Sequence, residues 1–216
     1  MARTLTIDFV SDVSCPWCII GLRALEEALA RTADTVNADI SFQPFELNPD
    51  MPPEGQNLVE HITHKYGSTP AQSAANRQII RERAAGLGFT MAMSDQSRIY
   101  NTFDAHRLLH WAELEGRQSK LKHALFDAYF TAGQNVADHE VLVAAAEISG
   151  LDGTAAREVL ASGRYAEEVR DAEDLWRSRG INAVPAVVID GRYLISGGQP
   201  IEVFEQALRQ VALQEA

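Results

Sequence analysis

Short α/β segments at the two ends of the chain enclose a long helical middle, and this order restricts the folds that the chain can adopt. Near the N-terminus, apolar and polar residues alternate over 5–10, which predicts a strand. Apolar residues recur at helical spacing over 15–31, and a second extended run over 40–45 stops at the proline-rich stretch 48–53. The opening is therefore strand, turn, helix, strand.

The C-terminal end returns to the same kind of pattern. Residues 185–190 and 193–195 predict two short strands joined by a tight turn at Asp190-Gly191. Residues 201–213 predict a closing helix.

Between the ends, from about 57 to 179, nearly every segment has helical periodicity. Helix starts are predicted by the capping residues Thr69, Asp138 and Asp152. Each end piece, of roughly 40 to 50 residues, is marginal for a core of its own. We therefore expect an α/β fold with one sheet shared by both ends. Its discontinuous domain is predicted at 1–51 and 180–216, with an inserted helical domain at 52–179.

The charge of the chain excludes several classes of partner. The net charge is −11 and the isoelectric point is near 5.0, which argues against nucleic acid or an anionic membrane. All apolar stretches are far shorter than the roughly 18 residues that a spanning helix needs. The first residues contain no apolar segment typical of a secretory signal, so we expect a cytoplasmic protein.

The chain has two cysteines, Cys15 and Cys18, and they form a Cys-x-x-Cys motif. Two cysteines placed at random would show this spacing about one time in a hundred. A disulfide between them would close a very small loop, and such a bond is not expected as a structural link in a reducing compartment. The motif therefore indicates a redox-active or metal-binding pair.

The position of Cys15 favours redox chemistry. It lies at the start of the predicted helix, where unpaired N–H groups and the helix dipole favour a thiolate. Cys18 follows one turn later and is placed to resolve a mixed disulfide, and Pro16 restricts the turn between them. Trp17 adds no positive charge, so the motif itself does not predict an extreme oxidant.

Two acids precede the cysteines, and the sequence leaves their roles open. Asp12 is either a solvated loop residue or a group that exchanges a proton with the thiols. Asp8 alternates with apolar strand residues and is either a sheet-face acid or a buried acid behind the cysteines.

Four segments carry a resemblance to a known family. Residues 7–18, which contain Cys-Pro-Trp-Cys, resemble the active-site segment of the DsbA-like thioredoxin-fold family, and most of all its FrnE branch. Residues 45–52, 100–108 and 180–191 also resemble that branch, in the same order along the chain. The resemblance spans essentially the whole chain and implies a thioredoxin fold with a large all-helical insertion after the second strand.

The resemblance implies that Val184-Pro185 is a cis peptide facing the dithiol. A proline is tolerated at the start of a strand, as Pro185 is here. We expect Pro185 to act with the cysteines, and the Val184 backbone to pair with an extended substrate.

The same superfamily contains kappa-class glutathione transferases and 2-hydroxychromene-2-carboxylate isomerases, which bind glutathione and have a serine at the position of Cys15. This chain departs from them there, which favours redox exchange. Asn48, Val184, Gly198 and Gln199 nevertheless lie where those relatives hold glutathione. Glutathione is therefore a candidate substrate or ligand, and no tightly bound cofactor is expected. Asn48 is equally well explained as a turn residue before Pro49.

The histidines do not predict a metal site. His61 and His64 are too far along the chain from Cys18 for the usual zinc spacing. Asn101 and His106 match a stretch of the family, and we expect them, if they act, to contact substrate. His110 shares a helical face with His106, without an acidic third ligand.

These observations predict a cytoplasmic thiol–disulfide oxidoreductase in which Cys15 is the nucleophile, Cys18 resolves, and Pro16, Trp17 and Val184 contact the substrate. The substrate is a thiol or disulfide of a protein or a small molecule, and the chain is a monomer or a homodimer. One alternative is a glutathione-dependent isomerase or transferase acting on aromatic or polyketide-like molecules. The other is a chaperone-like module that binds polypeptides.

Overall fold

The computed structural model describes residues 2–52 and 54–214. Its N-terminal elements are β1 (Arg3–Ser11), α1 (Pro16–Arg31) and β2 (Val36–Pro44). The middle of the chain forms β3 (Gln56–Asn57), α2 (Leu58–Tyr66), α3 (Pro70–Gly86), β4 (Arg98–Ile99), α4 (Phe103–Leu114), α5 (Gln118–Phe126), a π-helical segment (Asp127–Thr131), α6 (His139–Ile148), α7 (Gly153–Ser162) and α8 (Ala166–Ser178). The C-terminal elements are β5 (Ala186–Ile189), β6 (Tyr193–Ser196) and α9 (Ile201–Leu213). The predicted domain limits at 1 and 216, and Pro53 of the proline-rich stretch, lie outside the described residues.

Both ends of the chain build one sheet in the order β2-β1-β5-β6. Strand β1 runs parallel to β2 and antiparallel to β5, with Phe9 opposite Val187 and Val10 opposite Ala186. The prediction of an α/β fold with a sheet shared by the two ends is confirmed.

The alternation in β1 divides the core between the two faces of the sheet. Leu5, Ile7 and Phe9 are buried in the cluster that also contains the apolar residues of α1 and α9. Val10 points to the other face, where Trp176 of α8 covers the sheet. The period of two in the sequence thus fixes which helices cover each face.

The helices of the middle have an apolar core of their own. Leucines from α4, α5, α6 and α7 pack together in it, including Leu108, Leu121, Leu142 and Leu160. The helix starts follow the predicted caps: Thr69 forms a capping box with Gln72, and the Asp138 and Asp152 side chains each accept a backbone N–H. No helix within the described residues is both long and apolar enough to span a bilayer.

The middle also contains a short ladder that the sequence did not predict. Gln56 pairs with Ile99 and Asn57 with Arg98 in the two-stranded β3-β4 sheet. Two residues per strand are too few to produce a visible alternation. The Asn57 side chain holds the ladder locally, since its Nδ2 donates to the Asp95 carbonyl and its Oδ1 accepts from Val59 N and caps α2.

Gln118 attaches the helical middle to the edge of the main sheet. Its Oε1 accepts the Phe42 N–H at 2.8 Å, and its Nε2 donates to the Phe42 carbonyl at 3.0 Å. Both bonds are buried, and β2 is an edge strand whose outer groups need partners. The amide of Gln118 therefore satisfies this edge as a neighbouring strand would.

Replacement of Gln118 by alanine should leave the Phe42 N–H and carbonyl without partners. We expect Gln118→Ala to lower the free energy of unfolding by at least about 2 kcal/mol, since two buried groups lose their partners and each costs roughly 1–3 kcal/mol. Denaturant unfolding measures this change. Gln78→Ala is the matched control, because Gln78 is exposed and its side chain, which donates to Glu82 Oε1 and accepts from Arg81 Nη2, forms only exposed bonds among the described residues. Equal effects of the two substitutions would contradict the role given to Gln118.

Candidate active site

Cys15 occupies the N-cap position of α1. Its backbone is extended, with φ −90° and ψ 114°, and Pro16 occupies the first turn of the helix. The Cys15 N–H donates to the Asp12 carbonyl at 3.2 Å, and the Cys18 N–H donates to the Cys15 carbonyl at 3.0 Å. The Cys15 side chain makes no capping hydrogen bond, and its sulfur lies at the positive end of the α1 dipole.

The two thiols are free and differ in exposure. Cys15 is 4% exposed and Cys18 is fully buried. Burial raises the pKa of the Cys18 thiol well above its usual value, and the hydrogen bond and charge of Cys15 raise it further. Of the pair, Cys15 is therefore the sulfur that a partner reaches first.

The cis Val184–Pro185 peptide lies against this pair, as the resemblance implies. The Cys15 thiol donates to the Val184 carbonyl with an S···O distance of 3.7 Å. Gly21 favours this close packing, because a Cβ there would stand 3.1 Å from Pro185 Cγ and would push the two apart slightly. Among the described residues, the Val184 amide has no backbone partner.

The Trp17 side chain lies beside the turn that precedes α9. A Cβ on Gly198 would stand 2.9 Å from the Trp17 carbonyl oxygen, so only glycine fits this approach. The Arg83 guanidinium lies over the indole, 5.2 Å from the ring centroid. The structure thus brings Trp17 and Gly198 together with the dithiol, while Gln199 turns back and donates from Nε2 to the Ser196 carbonyl.

Asp12 is buried beside the pair, so its expected alternative as a solvated loop acid is wrong. Its Oδ1 accepts the Ser14 N–H at 3.1 Å, and its Oδ2 accepts the Leu47 N–H at 2.7 Å. His106 Nε2 lies 3.8 Å from Asp12 Oδ1 and has no hydrogen-bond partner among the described residues. Burial acts to raise the pKa of Asp12, but attraction to His106 and the two backbone N–H groups lower it below its ordinary value. The Asp12 carboxylate is thus a fixed negative charge beneath the dithiol.

Asp8 lies on the other face of the sheet and is not behind the cysteines. It alternates with Ile7 and Phe9, which share a core cluster with Cys15 and Cys18. Its Oδ1 accepts from Gln43 Nε2 at 2.8 Å, which matches the sheet-face alternative.

Asn101 acts as a link between loops. Its Nδ2 donates to Glu46 Oε1 at 3.3 Å and to the Pro49 carbonyl at 3.2 Å, and its Oδ1 accepts the Phe103 N–H at the start of α4. Burial raises the pKa of Glu46, as does the charge of Glu173. These contacts tie the segment after β2 to the helical middle.

Asn48 lies in that same segment and faces α2. Its Oδ1 accepts from Lys65 Nζ at 2.7 Å, and Lys65 also donates to the Leu47 carbonyl at 2.8 Å. Burial raises the pKa of the neighbouring Tyr66, and the charge of Cys15 raises it further. The C-terminal end of α2 is therefore within electrostatic reach of the dithiol.

The histidine pair of α2 is not assembled with the cysteines. His61 Nδ1 lies 2.7 Å from Gln56 Oε1. Within 2–52 and 54–214 there is no cluster of three or more histidine, cysteine or acidic side chains suited to a metal ion.

Two residues near the dithiol were missed by sequence reasoning. Lys122 of α5 is fully buried, and its charge acts on Cys18, Asp12 and Cys15. Tyr129 of the π-helical segment donates from its hydroxyl to the Arg98 carbonyl, and burial raises its pKa well above the usual range. The sequence offers one signal for the burial of Lys122. It follows Leu121 and lies four residues before Phe126, so it falls on the apolar face of the helix.

Comparison with known proteins agrees with this geometry. A family model described as the DSBA-like thioredoxin domain matches residues 6–209. A probable DsbA oxidoreductase from Streptomyces coelicolor is 35% identical, with a TM-score of 0.92 over 98% of this chain and 92% of that chain. The protein YwbO of Bacillus subtilis is 28% identical over 206 residues, 95% of this chain and 96% of its own length. The cytosolic disulfide reductase DsbM from Pseudomonas aeruginosa, in a structure with GSH, shares the fold at 18% identity, with a TM-score of 0.65 over 96% of this chain and 100% of that chain.

Removal of the Asp12 charge should destabilise the protein in a pH-dependent way. The pKa of Asp12 is lowered in the folded chain, so its carboxylate contributes stability above its ordinary value of 3.8 and loses that contribution as the pH falls through the folded value. We expect Asp12→Asn to cost about 1–3 kcal/mol near neutral pH, and the cost to shrink below the ordinary value. Denaturant unfolding over a pH series measures the difference between the two proteins.

Asp39→Asn is the control for this series, because Asp39 is exposed on β2. We expect it to change the free energy of unfolding by less than about 0.5 kcal/mol at every pH. An Asp12→Asn effect that stays the same across the series would contradict the electrostatic account.

Proposed function

Because the chain belongs to the DsbA-like thioredoxin domain family, as its motifs predict, we propose that it is a thiol–disulfide oxidoreductase that uses Cys15 and Cys18. The observation that carries the proposal is the placement of Cys15 at the N-terminus of α1, with its thiol donating to the carbonyl of Val184. A helix N-terminus favours the thiolate that attacks a disulfide. Cys18, one turn away on the same helix, supplies the second thiol.

The exchange proceeds in two displacements. The Cys15 thiolate attacks one sulfur of a substrate disulfide, and the other substrate sulfur leaves with the bonding electrons and takes up a proton. The Cys18 thiolate then attacks Cys15 Sγ, which forms the intramolecular disulfide and releases the second substrate thiol. Val184 and Pro185 lie beside Cys15, and the Val184 amide has no backbone partner in the described part of the chain, so an extended substrate backbone can pair there during both steps.

We also propose glutathione as a substrate, on the basis of Lys65. Two N–H groups of this ammonium bond Leu47 and Asn48, and Nζ lies 5.6 Å from the ring centroid of Tyr66. No acidic side chain of the described residues pairs with it, so it can accept an anionic partner. Glutathione carries two carboxylates, and the C-terminal end of α2 lies within electrostatic reach of Cys15. Asn48 then acts by holding Lys65. The cytoplasmic location of the reaction stays a prediction from the sequence.

Cys15→Ser should abolish disulfide exchange, because it removes the attacking sulfur. Cys18→Ala should keep the first displacement and accumulate a Cys15 mixed disulfide, because nothing resolves it. Titration in glutathione buffers, with thiols trapped by an alkylating mass tag, measures both. The wild-type protein should show a reversible two-electron transition between dithiol and disulfide.

Three results would contradict the oxidoreductase proposal. One is disulfide exchange that survives Cys15→Ser. Another is a wild-type chain that forms no intramolecular disulfide but a stable Cys15–glutathione adduct, which would favour the glutathione-dependent isomerase. The third is suppression of client aggregation by the double cysteine variant with no redox activity in the wild type, which would favour the chaperone-like module.

Replacement of Lys65 by methionine should weaken exchange with glutathione disulfide only. We expect Lys65→Met to raise KM for that anionic substrate about tenfold, equivalent to roughly 1.4 kcal/mol, and to leave kcat unchanged. Exchange with the uncharged hydroxyethyl disulfide should not change. Steady-state kinetics on both substrates measure this selectivity, with Lys120→Met as the matched control, since Lys120 is exposed on α5. Equal losses on the two substrates would contradict a charge-based contact.

A further inference from the structure

Lys122 is a buried cation without a hydrogen bond. Its side chain is fully buried in α5, and its Nζ has no hydrogen-bond partner within the described residues. The ammonium lies 5.1 Å from the ring centroid of Phe126 and 5.9 Å from that of Phe42. Lysine is almost never fully buried unless it is paired, so this position needs an explanation.

The charges that act on Lys122 all belong to the dithiol and its surroundings. Cys18 contributes most, followed by Asp12 and Cys15. Burial lowers the pKa of Lys122 to about 8, and those three groups oppose the decrease. The amine is therefore still largely protonated at neutral pH.

Other titratable groups on the elements packed against α5 have different partners. His106 of α4 faces Asp12, at 3.8 Å. Tyr129 of the π-helical segment donates to the Arg98 carbonyl, and His123 of α5 itself pairs with Glu26 of α1 at 2.6 Å. On α6, His139 lies 2.8 Å from Asp104 and Glu140 pairs with Arg157. The strand β2 contributes the Phe42 ring, which carries no charge. Phe42 and Phe126, the two rings against the ammonium, belong to the same core cluster as Cys15 and Cys18. The groups of opposite charge available to Lys122 in this region are thus Asp12 and the two cysteines.

Cys18 needs such a cation when it ionises. Its sulfur is fully buried, which disfavours the thiolate. The carboxylate of Asp12 nearby adds a negative charge to the same region. The charge of Lys122 and a backbone hydrogen bond with Asp12 both favour the thiolate.

We propose that Lys122 is a positioning residue for the resolving step, holding a positive charge beside Cys18 so that the buried thiol can ionise. This inference rests on the proposed oxidoreductase function. In the mixed disulfide between Cys15 and a substrate thiol, Cys18 gives up its proton and its thiolate attacks Cys15 Sγ. The bond between Cys15 and the substrate sulfur breaks, and the departing thiolate takes up a proton from solvent in place of the one released. Lys122 keeps its own proton throughout and is neither nucleophile nor acid.

The test measures ionisation of Cys18 through its reaction rate. In Cys15→Ser the chain has Cys18 as its single cysteine, because it has two in all. The reaction of Cys18 with a small aromatic disulfide is followed at pH 7 in this background, with and without Lys122→Met, because Lys122 is largely protonated at that pH. We expect Lys122→Met to slow this reaction by at least about tenfold, since it lowers the thiolate fraction of Cys18 about tenfold. Lys120→Met, the same substitution at an exposed position of the same helix, should leave the rate unchanged.

A structural role for Lys122 would give a different result. Methionine keeps the length of the side chain and removes a buried charge, so Lys122→Met should fold and resist denaturant at least as well as the wild type. Lys122→Gln is a second neutral variant and should slow the reaction of Cys18 at pH 7 in the same way. An unchanged rate in either folded variant would overturn the inference, and a faster rate would indicate that the substitution only loosens the packing around Cys18.

A kinetic measurement separates this inference from the function on which it rests. The cysteine-intact protein and its Lys122→Met variant are mixed with glutathione disulfide, and acid quenching traps the Cys15–glutathione mixed disulfide. We expect resolution to slow at least about tenfold in the variant, so that the mixed disulfide accumulates. Equally fast resolution in both proteins would overturn the role of Lys122 alone. A wild-type protein that never forms the Cys15–Cys18 disulfide would overturn the oxidoreductase function.

Discussion

Complete burial of Cys18 is the constraint on which the rest of the site depends. A thiol in an apolar core ionises only if nearby groups compensate its charge, because the protein interior solvates a thiolate poorly. The cluster around Cys18 supplies charges of both signs. Asp12 stays negative because backbone N–H groups of Ser14 and Leu47 hold its carboxylate, and Lys122 brings the opposite charge from the helical middle. The dithiol is therefore embedded in a small charged network inside the core.

The register of the sheet sets the distance between Cys15 and Pro185. Cys15 follows β1, and Pro185 immediately precedes β5, so the antiparallel pairing of these strands fixes how far apart the two lie. A slip of one residue would turn every side chain of β5 to the opposite face and would separate Val184 from the thiol. Gly21 completes this arrangement, since it lets α1 approach Pro185 closely. The N-terminal and C-terminal pieces of the chain thus form one site because they share one sheet.

Sequence reasoning reached the features that depend on local pattern. The alternation of β1, the caps at Asp138 and Asp152 and the cysteine motif at a helix start all leave short-range signals, and the structure contains each of them. The burial of Asp12 left no such signal, because the Leu47 amide that holds it is 35 residues away. Lys122 was missed for a related reason: a lysine on a helix is read as exposed, and only tertiary packing decides otherwise. The rest of the site therefore depends on long-range contacts that spacing does not encode.

The attachment of α5 to β2 connects the helical middle to the chemistry of the dithiol. Gln118 and Lys122 lie four residues apart on one face of α5, and both meet Phe42. The amide of Gln118 bonds the Phe42 backbone, while the ammonium of Lys122 lies near its ring. The docking of α5 on β2 thus both satisfies the edge strand and places the ammonium of Lys122 against the core cluster that contains Cys18. A displacement of α5 from β2 would remove the strand partner and the compensating charge together. The helical middle is then a component of the proposed resolving step, since the buried thiolate depends on its being docked.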